Sequence, residues 1–121
     1  MSSDFRRILI AVQNADVAEI FRSALFRERF GVICAAFDSP DAHQIATKRG
    51  VDLVICNIGH NGEGIDFHKR VKATCNPPKF LMVSGGALDP YRKYADANGI
   101  VLMELPMELP KLFQEVSKLL A

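Results

Sequence analysis

The chain has 121 residues, 49% of them hydrophobic and 24% charged, and its 15 Lys and Arg against 14 Asp and Glu leave a formal charge of +1. That balance fits one domain over residues 1–121 with its own core, and it excludes a disordered segment or a bulk electrostatic pull toward nucleic acid or an anionic membrane. No apolar run approaches the ~18 residues of a transmembrane helix, and the apolar stretch 8–12 is too short for a secretory signal, so the expected location is the cytoplasm.

Residues 7–12 (RILIAV) are a nearly continuous aliphatic run, the mark of a strand buried on both faces. Asn14 stands where it can cap a helix, with Val17, Ile20, Phe21, Ala24 and Leu25 at i, i+3, i+4, i+7 and i+8 as its buried stripe. Gly31 breaks that pattern, and residues 32–37 read as a second strand. Ser39-Pro40 then supplies a cap followed by proline at the first helical position, with Ala42, Ile45 and Ala46 inward until Gly50. Residues 52–58 (DLVICNI) are a third buried strand, followed by Gly59-His60-Asn61-Gly62-Glu63-Gly64, whose glycines suit tight turns at positive φ.

A short helix over residues 65–73 places Phe67 and Val71 inward and ends at Asn76-Pro77-Pro78. Residues 79–84 (KFLMVS) are the fourth strand, and Gly85-Gly86 opens the next loop. Asp89-Pro90 starts a helix carrying Tyr91, Tyr94 and Ala95 on one face, stopped by Asn98-Gly99. Residues 100–103 are the fifth strand. The last helix buries Leu109, Leu112, Phe113, Val116 and Leu119 or Leu120.

Five apolar strands alternating with five helices predict an α/β fold: a doubly wound, five-stranded parallel sheet of order 2-1-3-4-5, flavodoxin-like, with helices on both faces. Cys34 and Cys56 lie inside apolar runs and read as core residues, and with Cys75 they have neither a metal-ligand nor a disulfide-framework spacing. His43, His60 and His68 also lack ligand spacing and read as exposed or loop histidines. No phosphate-cradling glycine motif and no hydrolase elbow occurs, so no cofactor is expected. The crevice of such a sheet lies beyond the carboxyl ends of the strands, between the first and the third.

At that crevice the chain resembles the receiver domains of bacterial two-component response regulators, over essentially its whole length. The resemblance rests on Ile8-Leu9-Ile10-Ala11-Val12-Gln13-Asn14-Ala15-Asp16-Val17, on Asp52-Leu53-Val54-Ile55-Cys56-Asn57-Ile58, on Met82-Val83-Ser84-Gly85 and on Leu105-Pro106. It implies that Val12 and Gln13 stand where the family holds Mg²⁺ with an acidic pair, and Asn57 where an aspartate accepts the phosphoryl group. Ser84 matches the family's Ser or Thr, and Leu105 stands where a lysine precedes the proline.

The departures bear on chemistry. An amide forms no acyl phosphate, Mg²⁺ wants charged oxygen ligands, and a leucine puts no cation on developing charge. No nearby acid replaces the acceptor: Asp52 falls at the wrong edge of the sheet, Asp16 lies a turn into the first helix, and Glu63 and Asp66 have no metal-binding companion. The expected function is that of a phosphorylation-independent, non-enzymatic receiver-like module that acts by protein–protein interaction in bacterial signalling.

The resemblance implies docking on the face of the fourth helix, fifth strand and fifth helix: Tyr91, Glu104, Met107 and Lys111, with Tyr94 and Leu102 turned inward. Apolar Leu102, Met103, Leu105 and Met107 there either favour a protein partner or a second copy of the chain, or all four pack into the core beneath the last helix; no nucleic-acid or membrane partner is expected. Two alternatives are a small-ligand sensor using the crevice at Gln13, Asn57 and Ser84, and a receiver with a displaced acceptor. A cobalamin-binding module needs an Asp-x-His-x-x-Gly run after the first strand; here His60 follows the third, with no aspartate two places before it.

Overall fold

The computed structural model describes residues 6–35, 40–48, 50–59, 61–74 and 76–121. Along them strands and helices alternate: β1 (Arg7–Ala11), α1 (Ala15–Arg27), β2 (Gly31–Cys34), α2 (Pro40–Lys48), β3 (Leu53–Asn57), α3 (Glu63–Lys72), β4 (Lys79–Ser84), α4 (Asp89–Asn98), β5 (Val101–Glu104) and α5 (Leu109–Leu120). The strands pair in parallel in the order β2-β1-β3-β4-β5, as the alternation predicts.

Leu53, Val54, Ile55 and Cys56 of the central strand β3 are all shut off from solvent, and a strand covered on both faces has to be apolar at each such position. Period-two alternation then divides the side chains into two layers. Leu9, Val54, Cys56, Phe80 and Met82 meet Ala42 of α2, Phe67 and Val71 of α3 and Ala95 of α4. Ile8, Ile10, Ile55, Leu81 and Val83 meet Phe21 and Leu25 of α1 and Leu112 and Val116 of α5. Each fully buried Leu, Ile or Phe contributes about 1.5–3 kcal/mol, so these two layers hold the sheet and its helices together.

The amino-terminal edge of the sheet is tied by polar contacts. Asp52 Oδ2 accepts the Arg7 N–H at 2.8 Å, and Lys79 Nζ donates to the Leu119 carbonyl at 2.6 Å. Asp52 therefore stands at the opposite edge from the crevice, where the sequence places it.

Some expectations need correction. Ile20 is 53% exposed: the inward side of α1 narrows to Phe21, Ala24 and Leu25, because the helix lies over a single layer. Cys34 is exposed too, as the last residue of an edge strand with a neighbour on one side only. β2 is described as Gly31–Cys34; the predicted continuation through residues 36–37, the Ser39 cap, His60 and Cys75 lie outside the described residues.

Candidate functional site

The chain leaves β1 for β2 on one side and comes back as β3 on the other, which opens a crevice between the carboxyl ends of β1 and β3. Gln13 follows β1, and its N–H donates to Asn57 Oδ1 at 2.5 Å. Asn14 caps α1, accepting from the N–H groups of Asp16 at 2.9 Å and Val17 at 3.1 Å. Side-chain capping satisfies donors that the first helical turn leaves unpaired.

The end of β3 is held from below. Ile58 N–H donates to the Val83 carbonyl at 3.0 Å, and Gly64 N–H to the Ile58 carbonyl at 2.8 Å. A Cβ at Gly64 would lie 1.9 Å from the Asn57 carbonyl oxygen, so α3 starts against the backbone of β3 with no room for a side chain. Gly64 does not adopt the positive φ expected of this loop's glycines; Gly59 at φ 86° and Gly62 at φ 74° do. Close backbone approach, and not turn geometry, is what requires a glycine at position 64. The Glu63 carboxylate accepts the Asn61 N–H at 2.9 Å, folding back over the loop.

Ser84 closes β4, and its Oγ accepts the Gly86 N–H at 3.0 Å. Gln13, Asn57 and Ser84, with Tyr91 and the backbone of Gly59 and Gly85, line a cavity of about 570 Å³, and among the described residues no acidic or basic side chain lines it. Val12 and Leu105 are not there. Val12 is buried, and Leu105 partly so, in the layer beneath α1 and α5. The Leu105 N–H donates to the Ser84 carbonyl at 2.8 Å, and the peptide bond from Leu105 to Pro106 is cis.

This set does not fit Mg²⁺. The Val12 side chain offers no oxygen, Asn57 Oδ1 already accepts a hydrogen bond, and the remaining side chains lining the crevice among the described residues are neutral. Among the described residues no group of three or more His, Cys, Asp or Glu is placed to hold a metal ion, and no helix is long and apolar enough to cross a membrane.

Glu104, Met107 and Lys111 meet elsewhere, along the outer edge of β5. With Leu102, Glu108 and Glu115 they line a groove of about 560 Å³. Tyr91 is not part of that groove but faces the crevice. Tyr94 and Leu102 are partly buried against the α2–α4 layer, whereas Met103, expected at the docking edge, is buried in the layer beneath α1 and α5, with Leu105 and Met107 partly buried against it. Sequence reasoning missed Glu108 and Glu115, although their i, i+3, i+7 spacing with Lys111 puts all three on one helical stripe.

His68 also corrects its reading as an exposed or loop residue. It is a buried residue of α3, and its Nδ1 shares a 2.6 Å hydrogen bond with the Tyr94 hydroxyl of α4. The imidazole packs edge-on against Phe80 at 4.7 Å between ring centroids. Burial, and then the nearby Lys72 ammonium, hold its pKa below the ordinary imidazole value. Tyr94 is shifted up by burial and by the Asp66 carboxylate. Burial also raises the thiol of Cys56, and the partial desolvation of its sulfur raises that of the otherwise exposed Cys34, which disfavours the reactive thiolate.

No protein-family model and no curated protein matches the sequence. Solved structures do. The chain is similar to a response regulator receiver domain from Methylobacillus flagellatus, at 22% identity and TM-score 0.81 over 96% of this chain and 99% of that one. It is similar to an orphan response regulator of H. pylori at 18% identity and TM-score 0.80, covering 96% and 97% of the two chains. A structure described as a novel family of redox sensors in the streptococci, evolved from two-component response regulators, matches at 16% identity and TM-score 0.82 over 94% of this chain and 50% of that one. The chain has the fold of response-regulator receiver domains.

Proposed function

We propose that this chain is a phosphorylation-independent receiver-like module, non-enzymatic and cytoplasmic, that acts in bacterial signalling by docking a protein partner through the outer edge of β5 and the adjoining stripe of α5. The observation that carries the reading is the neutral crevice. An asparagine ends β3, its amide oxygen is taken up by the Gln13 N–H, and the positions matching the family's acidic residue and lysine, Val12 and Leu105, turn into the core. Phosphoryl transfer to a side-chain carboxylate needs that carboxylate as acceptor and cations on the phosphate, and these residues supply neither. The fold's occurrence in an orphan regulator and in redox sensors supports a use of it outside the usual relay.

Two measurements test this. Incubation with Mg²⁺ and acetyl phosphate should leave the intact mass unchanged; a gain of one phosphate, lost on hydroxylamine, overturns the reading. Met107→Lys should abolish capture of the partner from the native host, whereas Asn57→Ala should leave it intact. Capture lost with Asn57→Ala, in a folded protein, moves the working site to the crevice and to a small ligand there.

A further inference from the structure

β5 is the last strand of the sheet, so one of its edges has no neighbouring strand. The Leu105 N–H crosses to the Ser84 carbonyl of β4. Main-chain direction alternates along a strand, so Leu102 and Glu104 turn their N–H and C=O groups to the open edge. Glu108, Lys111 and Glu115 run beside that edge and form the other wall of the groove, with Leu102 and Met107 as its apolar part.

The charges of the groove are lopsided. Among the described residues, Glu104, Glu108 and Glu115 line the groove with one cation, Lys111, in a chain whose formal charge is +1. Glu115 is shared with Lys118 at 3.4 Å, while the carboxylates of Glu104 and Glu108 have no ion pair among the described residues. A second copy of the chain would bring an equally acidic edge, and like charges facing each other across paired strands destabilise the pairing. A helix laid in the groove would cover the Leu102 and Glu104 main-chain groups without pairing them, which costs free energy. An extended basic segment meets both demands.

We infer that the open edge of β5 takes an extended, lysine- or arginine-bearing segment of the partner protein, which adds a strand to the sheet at Leu102 and Glu104 and sets its cations against Glu104 and Glu108. The inference rests on the docking reading above and supplies the chemistry of the partner. Main-chain bonds give such strand addition its affinity, and side-chain charge selects the occupant. Glutamate and proline near an edge also guard it against aggregation, and in that case no segment would pair there.

The test titrates the whole isotope-labelled chain with a blocked peptide of about eight residues, a usual strand length, alternating Lys with Val. Comparison peptides alternate Glu with Val, or carry N-methyl groups on every second residue in either phase. The Lys-Val peptide should slow hydrogen exchange of the Leu102 and Glu104 amides by about tenfold or more, the Glu-Val peptide should not, and one N-methyl phase should abolish the effect. Replacing both Glu104 and Glu108 by Gln should weaken the Lys-Val peptide about tenfold.

Equal slowing by the acidic peptide, binding unaffected by either N-methyl phase, or no slowing at all overturns the inference. Partner capture lost in Met107→Lys with no peptide protection overturns strand addition and leaves the docking reading standing. Peptide protection of Leu102 together with partner capture unchanged in Met107→Lys upholds the edge chemistry and removes the docking reading.

Discussion

Val12 and Asn57 match two acidic positions of the receiver resemblance, but their surroundings make them unequal hosts for a carboxylate. Asn57 is half-buried at the crevice, with a backbone N–H already donating to its side-chain oxygen. Asn57→Asp should change stability by less than about 1 kcal/mol at neutral pH, since the N–H then donates to an anion. Val12 is 7% exposed within an apolar layer, so Val12→Asp buries an unpaired carboxylate and should cost about 3 kcal/mol or more in urea unfolding at pH 7. Burial raises that aspartate's pKa above its unfolded value, so the variant should recover stability as pH falls toward about 4. Equal costs for the two variants would show a wetter Val12 site than its burial indicates.

His68 titrates with the opposite sign. Its folded pKa is depressed, so the stability it contributes is present above the unfolded value of about 6.5 and is lost as pH falls through the folded value. The Tm of the parent chain should drop between pH 7 and pH 5 more steeply than that of His68→Gln, which cannot take up the proton. A matching slope in the variant would assign the loss to another group.

Among the elements, α3 is seated directly on the strand before it, because Gly64 leaves no space between the helix and the Asn57 carbonyl. Gly64→Ala should therefore destabilise by about 1–3 kcal/mol, as overpacking does, and should shift the Asn57 side-chain resonances. Gly85→Ala, where an added Cβ meets nothing within 4 Å, should stay within about 0.5 kcal/mol. Chemical denaturation of both variants decides the point. The strands were legible because apolar runs such as DLVICNI and KFLMVS announce double-sided burial, and β4 was bounded to the residue. The seat of α3 was not legible: a glycine that avoids a carbonyl looks in sequence like one that turns a loop. His68 was misread for a related reason, since its burial depends on Tyr94, 26 residues away, which no local pattern reveals.

For the molecule as a whole, the separation between crevice and core matters most. Gln13, Asn57 and Ser84 come together as the spacing suggested, but which face each strand-end residue takes is a question of register that changes with a single position. Val12 and Leu105 fall on the core side of that alternation. A ligand shifts a two-state equilibrium only through unequal affinity for the two states, and the neutral crevice offers Mg²⁺ or phosphate little to grip in either. The amide spectrum of the chain should accordingly be unchanged by Mg²⁺ with acetyl phosphate, with one set of resonances for β4, β5 and α5. Doubled peaks or a concerted shift there would show a second conformation.

The hydrogen bond from the Gln13 N–H to the Asn57 amide has a consequence for how information passes through the molecule under the proposed reading. A crevice that no phosphoryl group charges or discharges keeps no memory of a recent stimulus, and the β5 edge presents the same surface at all times. Copies that never differ in state can report only by their number. The signal then resides in synthesis and turnover, and the lifetime of the folded chain in the cell becomes the time constant of the pathway.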